Sequence, residues 1–144
     1  MASCWHCSRT FRGRFVASKD YKKRYPIRKG ARVPFASDAD IDPYKLTRYA
    51  LRPDIEPGKA RGFRRLLGIT LDDWHYLSEQ LLSQLPESEA THVCLDDPSF
   101  MEFSVPILVV GRNGKSRVVK TGWGVDANHT PWLITAYATR KRSL

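Results

Sequence analysis

The chain is expected to fold as an α+β protein, with N-terminal helices packed on a four-stranded antiparallel sheet and a basic extended arm in front. Three observations predict this. Helical periodicity fills the middle of the sequence and strand-like alternation fills its last third, so the two element types are segregated along the chain. Arg112-Asn113-Gly114-Lys115 carries the Asn-Gly signature of a tight hairpin, which makes the neighbouring strands antiparallel. Residues 1–37 hold ten Lys or Arg and one acid, Asp20, leaving 14 of each sign from Asp38 onward. The arm (1–37) and the compact domain (38–144) therefore differ in character.

The arm has no clean period. Trp5, Phe11, Phe15, Tyr21 and Tyr25 are interleaved with Arg and Lys, and Pro26, Gly30 and Pro34 exclude a long helix from its second half. Asp38-Ala-Asp-Ile-Asp-Pro43 reads as a boundary turn. Tyr44 to Leu51 forms a short element stopped by Arg52-Pro53. Pro57-Gly58 introduces a helix over Lys59 to Leu67, with Phe63, Leu66 and Leu67 as its apolar stripe and Gly68 at its C′ position. Thr70 is the N-cap of the next helix, with Asp72 and Asp73 in the first turn where the dipole favours acids. Leu71, Trp74, Leu77, Leu81, Leu82 and Leu85 follow helical spacing, and Pro86 ends the run. Four strands are expected after that: Thr91 to Leu95, Phe103 to Val110, Ser116 to Val125, and Trp132 to Thr139.

At 144 residues the chain has room for one domain of ordinary size. The net charge of +9 points to an acidic partner such as RNA or another polyanion. All of the excess lies in the arm, so the domain itself does not read as a general DNA-coating surface. Three cysteines, Cys4, Cys7 and Cys94, cannot form a paired framework, which favours a reducing, cytoplasmic setting. No run approaches the roughly 18 apolar residues of a membrane span, so no membrane partner is expected.

Cys4-Trp-His-Cys7 invites a zinc reading, with His6 between the two thiols. A structural site wants four ligands, and no second pair lies nearby, so no metal or cofactor is expected. Walker, dinucleotide-binding, zincin and hydrolase-elbow motifs are absent from the sequence. Gly122-Trp-Gly124 reads as a bulge, and Asp96-Asp97 as solvated turn carboxylates. The C-terminal half holds a more informative set. Lys59 begins a helix, beside amides of positive potential. Lys120 and Thr121 lie late in the third strand, and Thr135 and Tyr137 share a face of the fourth. Trp123 and Trp132 offer stacking surfaces for bases. His129 lies in the loop joining these strands. Taken singly, Thr135 and Tyr137 are ordinary strand residues and His129 an ordinary loop histidine.

Five strings taken in order resemble a known family: Tyr44-Lys-Leu-Thr-Arg-Tyr-Ala-Leu, Gly58-Lys-Ala-Arg-Gly-Phe, Leu67-Gly-Ile-Thr, Lys120-Thr-Gly-Trp and Leu133-Ile-Thr-Ala-Tyr137. They are similar to small domains at the ends of bacterial polymorphic toxins and in phage head proteins, related to the barnase, EndoU, colicin and RelE group of ribonucleases. The resemblance spans about Tyr44 to Tyr137. It implies a substrate cleft on the sheet, with Lys59 contacting phosphate and Thr121, Thr135 and Tyr137 completing the site. His129 is the downstream histidine available for acid–base work. Arg61 and Lys120 would support the phosphate, and Trp123 and Trp132 the bases.

The expected function is a metal-independent, toxin-type ribonuclease. The 2′-OH attacks the adjacent phosphate, with one group taking its proton and another protonating the leaving oxygen. The rival expectation is a non-catalytic part of a large assembly, a virion or a ribonucleoprotein, anchored by the arm. An immunity protein or such an assembly would then contact residues 1–37.

Overall fold

A computed structural model describes residues 23–144. The Cys4, His6 and Cys7 thiol–imidazole group and the arm aromatics up to Tyr21 lie outside the described residues. The architecture is α+β, with three helices and a five-stranded antiparallel sheet. Helix α1 (Pro43–Lys45) runs straight into a π turn, Leu46–Ala50, closed by the Leu51 amide donating to the Leu46 carbonyl at 3.0 Å. Helix α2 spans Pro57–Leu67. Helix α3 spans Trp74–Gln84, flanked by single 3₁₀ turns at Leu71–Asp73 and Leu85–Glu87.

The helix ends follow local chemistry. Pro57 occupies the first turn of α2, where a missing amide hydrogen costs nothing. Gly68 ends that helix at φ 65°, a left-handed conformation that glycine adopts without Cβ strain. The Thr70 amide donates to Asp73 Oδ2 at 2.9 Å, so the expected cap is present.

The sheet order is β1-β2-β3-β4-β5, with every pairing antiparallel. Strands β2 (His92–Cys94), β3 (Met101–Val110), β4 (Ser116–Val125) and β5 (Trp132–Ala138) are the four expected from the sequence. The fifth, β1 (Arg24–Pro26), corrects the expected count and comes from the arm. It is three residues long and includes a proline, so it carries no alternation to read. An edge position tolerates that proline.

The second half of the arm is thus folded with the domain. The Ile27 amide donates to the Thr91 carbonyl at 3.1 Å, the Ala90 amide to the Ala31 carbonyl at 2.8 Å, and Val33 and Ala36 are buried in the common core. The charge asymmetry that suggested a boundary at residue 37 reflects surface side chains, whereas backbone pairing and two small apolar residues decide where the fold begins.

All three helical regions contribute to one core against one face of the sheet. Leu46, Ala50 and Leu51, then Phe63 and Leu67, then Leu77 and Leu81 meet Phe103, Val105, Ile107 and Val109 of β3, Val119, Trp123 and Val125 of β4, and Leu133 and Ala136 of β5. The β3–β4 hairpin docks on the end of α2. The Asn113 amide donates to the Leu67 carbonyl at 3.3 Å, and a Cβ on Gly111 would lie 2.2 Å from that oxygen. Only glycine permits that approach. Among the described residues, no helix-packed apolar cluster lies on the other face of the sheet, which holds the candidate site.

Candidate functional site

Strand parity decides which residues reach the open face. In β3, Phe103, Val105, Ile107 and Val109 point to the core, so Glu102, Ser104 and Pro106 point the other way. Their cross-strand partners share that face: Gly124 opposite Glu102, Gly122 opposite Ser104, Lys120 opposite Pro106. Outward again lie Trp132, Thr135 and Tyr137 of β5, and on the other side His92 and Cys94 of β2. Arg24 of β1 stands opposite Cys94.

All of these open-face residues except Gly124, Cys94 and Trp132 line two adjoining hollows of about 350 and 660 Å³. Arg24, Glu102, Thr135 and Tyr137 border both. The smaller also takes in His92, Ser104, Lys120 and Gly122, and the larger Glu56, Gly58, Lys59 and Gly62. Lys59 projects from the first turn of α2, and its Nζ donates to Thr135 Oγ1 at 3.1 Å. Glu56 Oε1 lies 3.9 Å from the same ammonium.

Glu102 is 4% exposed, the one buried carboxylate among the described residues. Gly122 makes room for it: a Cβ there would sit 2.5 Å from Glu102 Oε2 and 3.1 Å from Thr135 Cγ2. The carboxylate therefore lies across β4 and faces β5. Three cations, Arg24, Lys59 and Lys120, border the hollows against two carboxylates, Glu56 and Glu102. Beneath the rim, burial pushes the Cys94 thiol above its ordinary pKa, with the Asp96 and Glu102 charges adding to the effect.

The structure separates the sequence-derived candidates. Thr135 and Tyr137 border both hollows, Lys59 the larger and Lys120 the smaller. Thr121 borders the smaller hollow but is 4% exposed, and its hydroxyl is spent on structure. It donates to the Val105 carbonyl at 2.7 Å and accepts from Trp123 Nε1 at 2.7 Å. Trp123 does not present a stacking surface, because it is fully buried in the core with no exposure. Its parity explains this: Thr121 and Trp123 alternate with Lys120 and Gly122, so they point into the core. The register shift between Gly122 and Trp123 is the bulge that Gly122-Trp-Gly124 implied.

Arg61 is exposed on α2 and borders neither hollow. His129 also lies elsewhere, in the β4–β5 loop, with its Nδ1 2.9 Å from Asp126 Oδ2. That hydrogen bond, with the Asn128 and His129 amides at 2.9 and 2.8 Å, holds the Asp126 carboxyl below its usual range. The histidine ring meets the indole of Trp132 edge-on, 6.5 Å between centroids. Trp132 is partly exposed and lies on the open face at its far end.

Sequence reasoning passed over Arg24, His92, Glu102 and Ser104. For Glu102 and Ser104 a signal exists, since they are the polar members of a strictly alternating strand. Arg24 and His92 sit on three-residue strands with no periodicity to expose them. Among the described residues, no group of three or more His, Cys, Asp or Glu side chains gathers as a metal site, and no helix is long and apolar enough to cross a membrane.

The chain belongs to the DUF6883 family, described as a domain of unknown function, which matches residues 32–140. The match begins within the stretch that carries Val33 and Ala36, so it includes the part of the arm that enters the core. No curated protein and no solved structure matches the chain.

Proposed function

We propose that the open face of the sheet is the active site of a metal-independent ribonuclease. One observation carries the reading. A lysine from the first turn of a helix, a hydroxyl it touches, two further cations, a histidine and a buried carboxylate border two adjoining solvent-open hollows on one face of the sheet. That is an anion site furnished with both acid and base.

Each group then has a defined task. Lys59, Arg24 and Lys120 offset the charge growing on the non-bridging phosphate oxygens. Thr135 and Tyr137 position the phosphate by hydrogen bonds. Glu102 accepts the proton of the ribose 2′-OH as that oxygen bonds to phosphorus. As the bond from phosphorus to the 5′ oxygen breaks, protonated His92 gives its proton to the departing oxygen. The products are a 2′,3′-cyclic phosphate and a 5′-hydroxyl, and protons balance between the two side chains. Gly122 keeps the Glu102 carboxylate beside Thr135, where the phosphate is expected.

The test is cleavage of mixed-sequence RNA in EDTA, with the new ends identified by mass. Lys59→Ala, Thr135→Ala, His92→Ala and Glu102→Gln are each expected to lower the rate at least about a hundredfold while the domain stays folded. Retained cutting in both Lys59→Ala and Thr135→Ala would remove the site assignment. A folded parent protein that cuts no RNA would remove the function.

A second reading rests on residues 1–22, which carry five Lys or Arg and one acid. They suit a polyanionic anchor such as an assembled RNA, and their deletion would then end assembly and spare the fold. Normal assembly of the truncated chain would refute it.

A further inference from the structure

We infer that Trp132 forms the floor of a nucleobase subsite, one that holds the base of the nucleotide whose 2′-OH attacks. This inference rests on the ribonuclease reading and deepens it.

The indole has an unusual seat. Trp132 stands opposite Gly124, and Gly124 opposite Glu102, on three neighbouring strands. A Cβ on Gly124 would lie 2.4 Å from both Cε2 and Cζ2 of the indole and 2.8 Å from its Nε1. The ring thus occupies the place of the missing side chain and reaches across β4 towards Glu102. With strands about 4.8 Å apart, it bridges most of the gap between the two residues. Gly124 has no other evident reason to be glycine, since its φ is not positive.

The ring is also held in place. Phe100 packs against it at 5.4 Å between centroids, tilted by 59°. His129 meets it at 88°, and Asp126 fixes that imidazole through Nδ1. Trp132 remains partly exposed despite these neighbours. A rigid aromatic surface, partly open and on the same strand and sheet face as Thr135, suits a stacked base, because every base offers a π face.

Position selects which base. Trp132 lies two strands from Glu102, the group assigned to the 2′-OH, with Gly124 in register between them, and it stands at the opposite end of the face from Lys120 and Tyr137. The stacked base therefore belongs to the nucleotide on the 5′ side of the scissile bond, the one that ends with the cyclic phosphate.

Titration of the full chain with nucleoside 3′-monophosphates, nucleoside 5′-monophosphates and inorganic phosphate tests this. The parent should bind the 3′-monophosphates more tightly than phosphate. Trp132→Ala should weaken the 3′-monophosphates about tenfold and leave phosphate unchanged, and Trp132→Phe should restore most of the loss. Gly124→Ala displaces the ring without removing it and should weaken the same ligands. Equal affinity of parent and Trp132→Ala for the 3′-monophosphates, with phosphate binding intact, overturns the subsite and leaves the ribonuclease reading standing. A Trp132-dependent preference for 5′-monophosphates overturns the assigned side. If the parent binds neither phosphate nor nucleotides, both the subsite and the reading beneath it fall.

Discussion

Thr121→Val removes one oxygen from the middle of β4 and keeps the side-chain shape. Two hydrogen bonds of 2.7 Å disappear, from the hydroxyl to the Val105 carbonyl and from the Trp123 indole to the hydroxyl. The indole nitrogen is then a buried donor with no acceptor, since Trp123 has no exposure. An orphaned buried donor costs about 1–3 kcal/mol, and the lost carbonyl partner adds to it. We expect a total of about 2–3 kcal/mol, which for a domain of this size lowers Tm by roughly 8–10 °C. Urea unfolding followed by tryptophan fluorescence measures the loss. Trp123→Phe removes the other partner, so Thr121→Val should cost about 1 kcal/mol less in that background. RNA cleavage measured well below the lowered Tm should persist, because the hydroxyl faces the core. A variant as stable as the parent would refute the energetic argument. A stable variant that has lost cleavage would show that the hydroxyl acts on substrate.

Gly111→Ala forces a Cβ to 2.2 Å from the Leu67 carbonyl, a backbone clash that no rotamer relieves. It should destabilise by about 3 kcal/mol or more, read as a lower urea midpoint, and a wild-type midpoint would contradict the docking of hairpin on helix. Gly122→Ala meets mainly the far end of the Glu102 side chain, not backbone, so it should leave the fold largely intact and displace the carboxylate; RNA cleavage at the parental rate would contradict the cradle. The Asp126 carboxyl is held below its ordinary pKa of 3.8, chiefly through the His129 hydrogen bond. Its contribution is therefore complete above about pH 4 and fades as pH falls through the lowered value. His129→Ala should move the Asp126 titration, followed by NMR, back towards 3.8, and an unmoved titration would rule out the histidine as the cause.

Much of the fold was legible because local chemistry and periodicity agree. Gly68, the Thr70–Asp73 cap and the Asn113-Gly114 turn each have one physical use, and each is used that way. The first strand was not legible, since Arg24–Pro26 pairs through backbone groups that any sequence offers. Within the site, Thr135 and Tyr137 were placed correctly by parity. Applied to Lys120-Thr121-Gly122-Trp123, the same rule separates the lysine from the other two side chains, because neighbours on a strand cannot share a face. The grouping of His92 with Glu102 was hidden for a different reason. Their nearness is a matter of register between strands, which depends on the length and path of the loop between them.

Strands β2 to β5 meet in chain order, so each of their pairings closes a short loop. β1 is the exception: Arg24 finds Cys94 only after roughly 70 intervening residues have taken up their places. Closure over such a span loses more chain entropy than a hairpin does, so this seam is expected to zip last. Arg24 travels on that strand and also walls both hollows. During synthesis the ribosome releases it long before its neighbours exist. The meander and its apolar layer can thus assemble while the positive wall is still missing, and the pocket gains its full charge only as folding finishes.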